Sequence, residues 1–125
     1  MTENEIGSKV VSSAITVHST LGPGLLGSVY ELCLVHELTK LGLKTKRQVA
    51  LPLRYEGLDI EGGFRVDIFL EDSVIVEIKA VETLLPLHKS QFLTYLRLSG
   101  CKLGYLLNFI VSHMRVGIKS VANGL

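Results

Sequence analysis

The most informative stretch of the chain is FRVDIFLEDSVIVEIK, residues 64–79. Apolar residues alternate with other residues from Phe64 to Leu70, and a second apolar run extends from Val74 to Ala80, which is typical of two β-strands. The polar residues 71–73 between them predict a three-residue loop and therefore an antiparallel hairpin. In such a hairpin residue 70 pairs with residue 74, and residue 67 consequently lies opposite residue 77.

Three ionisable residues interrupt these otherwise apolar strands. The predicted register sets Asp67 opposite Glu77, and strand alternation sets Glu77 and Lys79 on one face. Directly opposed side chains have Cβ atoms about 4.5–5.5 Å apart, and like charges at that distance destabilise a sheet. Lys79 could compensate as a structural ion pair. Alternatively, the two carboxylates and the backbone carbonyl of Ile78 form the oxygen-rich ligand set that Mg²⁺ or Mn²⁺ prefers.

A helix is predicted after the hairpin, because proline is favoured in the first turn of a helix and glycine just past its end, and Pro86 and Gly100 stand at those places. His88, Gln91 and Tyr95 recur within it at spacings of three and four residues, so they form one polar stripe. The stripe runs beside an apolar row, Phe92, Leu93 and Leu96. It either faces the carboxylates of the hairpin or is a solvated helix face.

The rest of the chain completes a layered α/β domain. Apolar spacing and turn residues predict the other elements, which are helices at about 4–19 and 25–41, a first strand at 49–55, turns at 56–59 and 62–63, and a last strand at 102–109. Pro52 within the first strand indicates an edge or a bulge. The predicted order is α-α-β-β-β-α-β, an α/β sandwich with a mixed central sheet, as a single domain over residues 1–125.

Composition narrows the class of protein. The chain has 125 residues, of which 47% are hydrophobic and 20% charged, so it builds a packed core and is not disordered. Its net charge is +1, so any contact with nucleic acid must be local. The apolar stretches are too short to cross a bilayer and the start MTENE is acidic, so we expect a cytoplasmic protein without a membrane partner. Cys33 and Cys101 lack the spacing of a zinc site and are predicted to be buried free thiols.

Several of these residues resemble, in type and order, the motifs of the PD-(D/E)XK nuclease superfamily: Asp67, Glu77-Ile78-Lys79 and Gln91-x-x-x-Tyr95, the last as in its RecB-like branch. The resemblance implies a restriction-endonuclease-like fold and Mg²⁺- or Mn²⁺-dependent hydrolysis of phosphodiester bonds in nucleic acid. It implies that Asp67, Glu77 and the Ile78 carbonyl hold the metal. Lys79 would position or deprotonate the attacking water, and Gln91 and Tyr95 would orient substrate or water.

A narrower resemblance covers nearly the whole chain and points to the GxxExxY proteins, a small bacterial and archaeal family. It rests on four segments, LGPGLL at 21–26, SVYE at 28–31, LLNF at 106–109 and VANGL at 121–125. The chain departs from the family pattern at Gly27, where the family has a glutamate. Glu31 lies one helical turn further on nearly the same face and is the candidate for the remaining helix carboxylate. The departure favours, as an alternative function, a catalytically impaired module that binds nucleic acid or a protein.

Positive charge that could contact a phosphate backbone is concentrated at the start of the first strand. Four cations lie there: Lys40, Lys44, Lys46 and Arg47. They indicate either a nucleic-acid surface or a solvated edge that discourages strand pairing. Lys89 and Arg97, on the helix after the hairpin, could add phosphate contacts. We therefore expect DNA or RNA as the partner.

A plain structural α/β domain is the third functional class, and it would leave the opposed carboxylates and the polar stripe as coincidences. The sequence also predicts self-association, most simply as a two-fold homodimer. Apolar residues that flank the core elements are its expected contributors, namely Leu84, Leu85, Leu87, Ile110, Val111, Met114, Val116 and Ile118.

Overall fold

The computed structural model of the protein describes residues 1–124, and Leu125, the last residue of the VANGL segment, lies outside the described residues. Its elements are α1 (Glu3–Leu21), α2 (Gly27–Lys40), β1 (Thr45–Tyr55), β2 (Leu58–Leu70), β3 (Val74–Lys79), α3 (Pro86–Ser99), β4 (Leu103–Asn108), α4 (Met114–Gly117) and β5 (Ile118–Ala122). The strands form one sheet in the order β1-β2-β3-β4-β5, in which β3 and β4 run parallel and the other neighbours antiparallel. The predicted α/β sandwich with a mixed sheet is confirmed.

Helices cover both faces of the sheet, and each face has its own apolar core. α1 and α2 cover the face that carries the even-numbered residues 74–78 of β3. α3 covers the opposite face, where its Phe92 packs with Ile75. Because side chains alternate along a strand, Glu77 and Lys79 belong to this second face, beneath α3.

The predicted hairpin register is confirmed between β2 and β3. Leu70 pairs with Val74, as a three-residue loop requires. The prediction for Pro52 is also confirmed, because β1 is an edge strand and its pairing with β2 shifts at this residue. A proline fits there because the position does not need a backbone N–H for the ladder.

One predicted turn is wrong, and two elements after β4 were not predicted. The structure has a strand in place of the turn at 62–63, since β2 runs continuously from Leu58, and Gly62, with φ of 62°, lies in the bulge opposite Pro52. The chain also continues after β4 with α4 and β5, which the sequence did not predict. A four-residue helix and a five-residue strand that is half exposed carry too little apolar periodicity to be recognised.

The segment after β4 buries part of the apolar surface on which the predicted dimer depends. Met114 is 4% exposed in the core beneath α1 and α2, and Val111 and Ile118 pack against that core. The prediction that Met114 flanks the core is therefore wrong, whereas Val111 and Ile118 lie partly buried beside the core. Of the predicted contributors, Leu85, Leu87 and Val116 keep half or more of their surface exposed.

The alternation predicted from Phe64 to Leu70 is interrupted at Asp67. Val66 packs on the α3 face, whereas Ile68, two residues further on, packs on the α1 and α2 face. Opposite this point on β1, Gln48 has φ of 50°, a left-handed conformation that is uncommon for residues other than glycine. In each of the two strands, side chains of the same parity therefore change from one face of the sheet to the other at this point. Asp67 lies where β2 makes this change.

Tyr30, the tyrosine of the GxxExxY resemblance, organises the loop between α1 and α2. Its hydroxyl donates to the carbonyl of Gly22 and accepts from the N–H of Leu25 at 3.1 Å. Its ring stacks on Phe109 with the centroids 4.4 Å apart. Gly24 in the same loop has φ of 107°, a backbone conformation that residues other than glycine rarely adopt. The loop conformation thus depends on its glycines and on a buried tyrosine.

We expect Tyr30→Phe to lower the free energy of unfolding by about 1–3 kcal/mol, because the backbone groups of Gly22 and Leu25 lose their hydroxyl partner while the ring packing stays. Urea denaturation measures the change. Tyr55→Phe is the matched control, since Tyr55 is 63% exposed and its loss should cost less than about 0.5 kcal/mol. Equal effects of the two substitutions would contradict the role of the Tyr30 hydroxyl.

Two predictions from composition can be compared with the structure. Both cysteines are free thiols, of which Cys101 is buried and Cys33 is partly exposed. Within residues 1–124, no helix combines the length and the apolar character that crossing a membrane needs.

Candidate active site

Asp67 and Glu77 meet where the ladder between β2 and β3 ends. The last backbone pair joins Ile68 to Val76. One residue further, side chains replace the ladder bonds: the N–H of Asp67 donates to Oε1 of Glu77 at 2.9 Å, and the N–H of Ile78 donates to Oδ2 of Asp67 at 2.8 Å. Each carboxylate is therefore held by the backbone of the other strand, and the two acidic groups converge in the gap between the strands.

The electrostatics of this pair is dominated by burial of Glu77, which is 7% exposed. Burial first, and then the negative charge of Asp67, raise the pKa of Glu77 to about 8. The N–H of Asp67 and the ammonium of Lys79 act in the opposite direction and do not outweigh these causes. At neutral pH the repulsion between the carboxylates is thus relieved by a proton on Glu77.

Lys79 does not relieve that repulsion as an ion pair. Across residues 1–124, it forms no salt bridge with Asp67 or Glu77. It is half-buried at the end of β3, on the same face as Glu77, and lowers the pKa of Glu77 through its charge. The structural ion pair was one of two explanations for the opposed carboxylates. The described residues do not form it.

Glu31 joins the acidic pair from α2. It is 4% exposed, and its Oε2 accepts from Arg47 of β1, at 3.0 Å from Nε and 2.7 Å from Nη2. Its Oε1 accepts from Nε2 of Gln48 at 2.8 Å, and the same nitrogen donates to Oδ1 of Asp67 at 3.2 Å. A continuous chain of contacts therefore links Glu31, Gln48, Asp67 and Glu77. Gln48 was not among the predicted site residues.

The polar stripe of α3 divides into three environments. Tyr95 stacks on Phe64 with the centroids 5.1 Å apart. Burial, followed by the charges of Glu77 and Asp67, raises its pKa, which places Tyr95 within the field of the acidic pair. His88 instead caps the helix, since its Nδ1 accepts from the N–H of Leu85 at 3.0 Å.

Gln91 is exposed one turn before Tyr95, and among residues 1–124 it makes no hydrogen bond with the acidic pair. The structure therefore connects Tyr95 to the carboxylates through their charges, and it leaves Gln91 exposed to solvent.

The predicted cations are spread over the surface. Lys44 and Lys46 share one partner, Asp72 in the hairpin loop, at 2.8 and 3.1 Å, and all three groups are exposed. Lys40 pairs with Glu37. Lys89 and Arg97 are exposed on α3. The guanidinium of Arg47 pairs with Glu31 although its side chain stays 38% exposed, so this residue also belongs to the acidic chain of contacts.

The residues of this site fit a divalent ion of the magnesium type. Within residues 1–124, no group of three or more His, Cys, Asp or Glu side chains is placed to hold a metal ion by itself. Mg²⁺ does not need such a group, because it keeps several waters and is commonly held by one or two carboxylates. Asp67 and Glu77 are two adjacent carboxylates of this kind, and a cation beside them would offset the causes that raise the pKa of Glu77.

Fold and site together define the class of protein: an α/β sandwich whose central hairpin ends on two opposed carboxylates, with a lysine further along the same strand face. The family model of the PD-(D/E)XK nuclease superfamily matches residues 4–121, so the chain belongs to this superfamily. The observed sheet and helices agree with the restriction-endonuclease-like fold. This match shows the superfamily, and membership of the narrower GxxExxY family is not confirmed. No curated protein and no solved structure gives a significant match to the chain.

Proposed function

We propose that this protein is a nuclease that hydrolyses phosphodiester bonds of DNA or RNA with the help of Mg²⁺ or Mn²⁺. The observation that carries the proposal is the reciprocal pairing of Asp67 and Glu77, in which each carboxylate accepts from the other strand's backbone. This arrangement keeps two acidic groups adjacent although burial, and then the charge of Asp67, raises the pKa of Glu77. Residues that are held against their own electrostatic preference are frequent at catalytic sites.

The roles follow from the chemistry of each group. Asp67, Glu77 and the Ile78 carbonyl would hold the ion, which supplies Lewis-acid charge and an activated water when bound. The Lys79 ammonium would present a compact positive charge to a phosphate or a water, since among residues 1–124 it forms no salt bridge with the two carboxylates. The Tyr95 hydroxyl is available to orient substrate through a hydrogen bond.

The other proposed contacts lie around this centre. Gln91, exposed on the same helix as Tyr95, would contact the substrate, and Glu31 would hold a water from the side of α2. Phosphate contacts away from the centre are assigned to exposed cations, which are Lys44, Lys46, Arg47 and Lys89. Such contacts position a nucleic acid without reading its sequence.

Cleavage of labelled single- and double-stranded DNA and RNA tests the proposal. With Mn²⁺ or Mg²⁺ the protein should cleave at least one of these substrates, and with EDTA none of them. Calorimetric titration with Mn²⁺ should show binding that Asp67→Ala loses. A wild-type protein that binds no metal and cleaves nothing would contradict the proposal.

A binding module without catalysis is the second candidate function, and two observations favour it. Gly27 stands where the GxxExxY resemblance expects a glutamate, and Arg47 neutralises the nearest helix carboxylate, Glu31. This function predicts retention of a labelled nucleic acid in a mobility-shift assay, unchanged by EDTA, with no cleavage.

Gly27→Glu should separate these two functions. A Cβ atom at this position would lie 3.9 Å from Cβ of Ala80 and 4.0 Å from Cγ2 of Ile78, which is ordinary contact, so a side chain fits. We expect the added carboxylate, beside the end of β3, to tighten Mn²⁺ binding by about tenfold. Gly27→Gln is the matched control: it shares the helix-propensity gain of about 0.5 kcal/mol but adds no charge, so its Mn²⁺ affinity should stay at the wild-type value.

The homodimer also stays a proposal, now with a smaller candidate surface made of Leu85, Leu87 and Val116. Light scattering at micromolar concentration tests it directly. A mass near 13.7 kDa means a monomer and contradicts the proposal, whereas twice that mass supports it.

A further inference from the structure

Gln48 is the residue that connects the helix carboxylate to the strand carboxylates. Its Nε2 lies 2.8 Å from Oε1 of Glu31 and 3.2 Å from Oδ1 of Asp67. Both partners are carboxylate oxygens, which only accept, so the two hydrogens of one amide nitrogen serve one carboxylate each. Neither hydroxyl nor aliphatic side chains could donate in this way to two acceptors from one atom.

The backbone at Gln48 shows that this bridge is not a by-product of regular strand geometry. Gln48 has φ of 50° within β1, and its neighbours Arg47 and Val49 consequently face opposite sides of the sheet. A regular strand would direct the side chains at 47 and 49 to the same face. The left-handed residue instead permits Arg47 to reach Glu31 while the Gln48 amide reaches both Glu31 and Asp67.

Asp67 then has a partner on each of its oxygens. Oδ2 accepts from the N–H of Ile78 at 2.8 Å, and Oδ1 accepts from Gln48. Two donors from different strands fix the rotation of a carboxylate about its last bond more firmly than one donor does. Hydrogen-bond partners of metal-ligating carboxylates are known to set both the orientation and the affinity of the site.

We propose that Gln48 is a positioning residue of the active site, which orients Asp67 and couples Glu31 to it through one amide nitrogen. This inference rests on the proposed nuclease function. It assigns to β1 a role that neither the acidic hairpin nor the polar stripe of α3 supplies. Gln48 itself is not required to touch the metal or the substrate.

Substitutions at Gln48 can distinguish the effect of its side-chain amide from the effect of its backbone conformation. Gln48→Gly accepts the left-handed conformation and removes the amide, whereas Gln48→Asn tolerates that conformation and keeps a shorter amide. We expect Gln48→Gly to weaken Mn²⁺ binding and cleavage by about 10- to 100-fold with its unfolding midpoint preserved, and Gln48→Asn to recover part of the loss. Arg54→Ala, at an exposed position of the same strand, is the control and should leave both quantities unchanged.

A second measurement does not depend on activity. In amide-exchange NMR, the side-chain protons of Gln48 should exchange more slowly than those of Gln91, because the Gln48 amide donates to two carboxylates although both residues are exposed. Either Asp67→Ala or Glu31→Ala should accelerate their exchange. Exchange as fast as that of Gln91, or full Mn²⁺ affinity in Gln48→Gly, would overturn the inference. A wild-type protein with slow Gln48 exchange but no metal binding and no cleavage would instead show that the bridge exists and that the nuclease function is wrong.

Discussion

The Glu77→Gln variant is expected to be more stable than the wild-type protein at pH 8 and about equally stable at pH 4. Burial, and then the charge of Asp67, raise the pKa of Glu77 from 4.5 to about 8 in the folded protein. Glutamine keeps an Oε1 acceptor for the N–H of Asp67 and has no proton to lose. The substitution therefore removes the titration and leaves the hydrogen bond of the hairpin in place.

The sign of the effect follows from proton binding. Between pH 4.5 and 8 the folded protein holds a proton on Glu77 that the unfolded chain has released, so the free energy of unfolding falls as the pH rises. The slope is about 1.4 kcal/mol per pH unit, and the total over this window is on the order of 5 kcal/mol at most. Glu77→Gln lacks this decline, so the difference between the two proteins grows through the same window.

Urea unfolding from pH 4 to pH 9 in EDTA measures the difference. Glu82→Gln, a change at an exposed glutamate, is the control and should follow the wild-type curve. Parallel curves for the wild type and Glu77→Gln would show that Glu77 has an ordinary pKa. Adding Mn²⁺ at pH 8 should stabilise the wild type more than Glu77→Gln, because a ligand that binds only the folded state stabilises it.

Much of the hairpin could be predicted because its geometry is local. A loop of three residues sets the register, and the register sets Asp67 against Glu77 whatever the rest of the chain does. The sequence could not show that the ladder would stop just before this pair. The ladder stops because the backbone N–H groups of Asp67 and Ile78 donate to carboxylates instead of to the neighbouring strand. Strand alternation alone does not predict such hydrogen bonds.

The contribution of β1 to the site could not be predicted from the sequence, for a different reason. Gln48 reaches Glu31 and Asp67 only because β1 pairs with β2 and packs beside α2, and both contacts join residues far apart in the chain. The left-handed conformation of Gln48 also reverses the faces predicted from strict alternation. Arg47, which a count of cations assigns to phosphate, is for the same reason also paired with Glu31.

Lys79→Ala should lower metal-dependent cleavage by at least about 100-fold, a loss typical of removing one charge that stabilises a transition state. Lys79 lies on the face of Glu77 and acts on it through its charge, yet within residues 1–124 it has no carboxylate partner in a salt bridge. Its removal therefore breaks no ion pair, and the midpoint of thermal unfolding should change little. Glu77→Ala should abolish cleavage as well, but through loss of the metal.

Two measurements on the same preparations, Mn²⁺ binding and cleavage, distinguish these two losses. Lys79→Ala should keep Mn²⁺ binding while losing cleavage, whereas Glu77→Ala should lose both, because only the carboxylate belongs to the proposed donor set. Lys119→Ala, which removes an exposed lysine from β5, controls for a general loss of positive charge and should cleave at the wild-type rate. Equal cleavage by the wild type, Lys79→Ala and Glu77→Ala would identify a contaminating nuclease, since a reaction at this site cannot keep its rate after the loss of either its metal ligand or its ammonium.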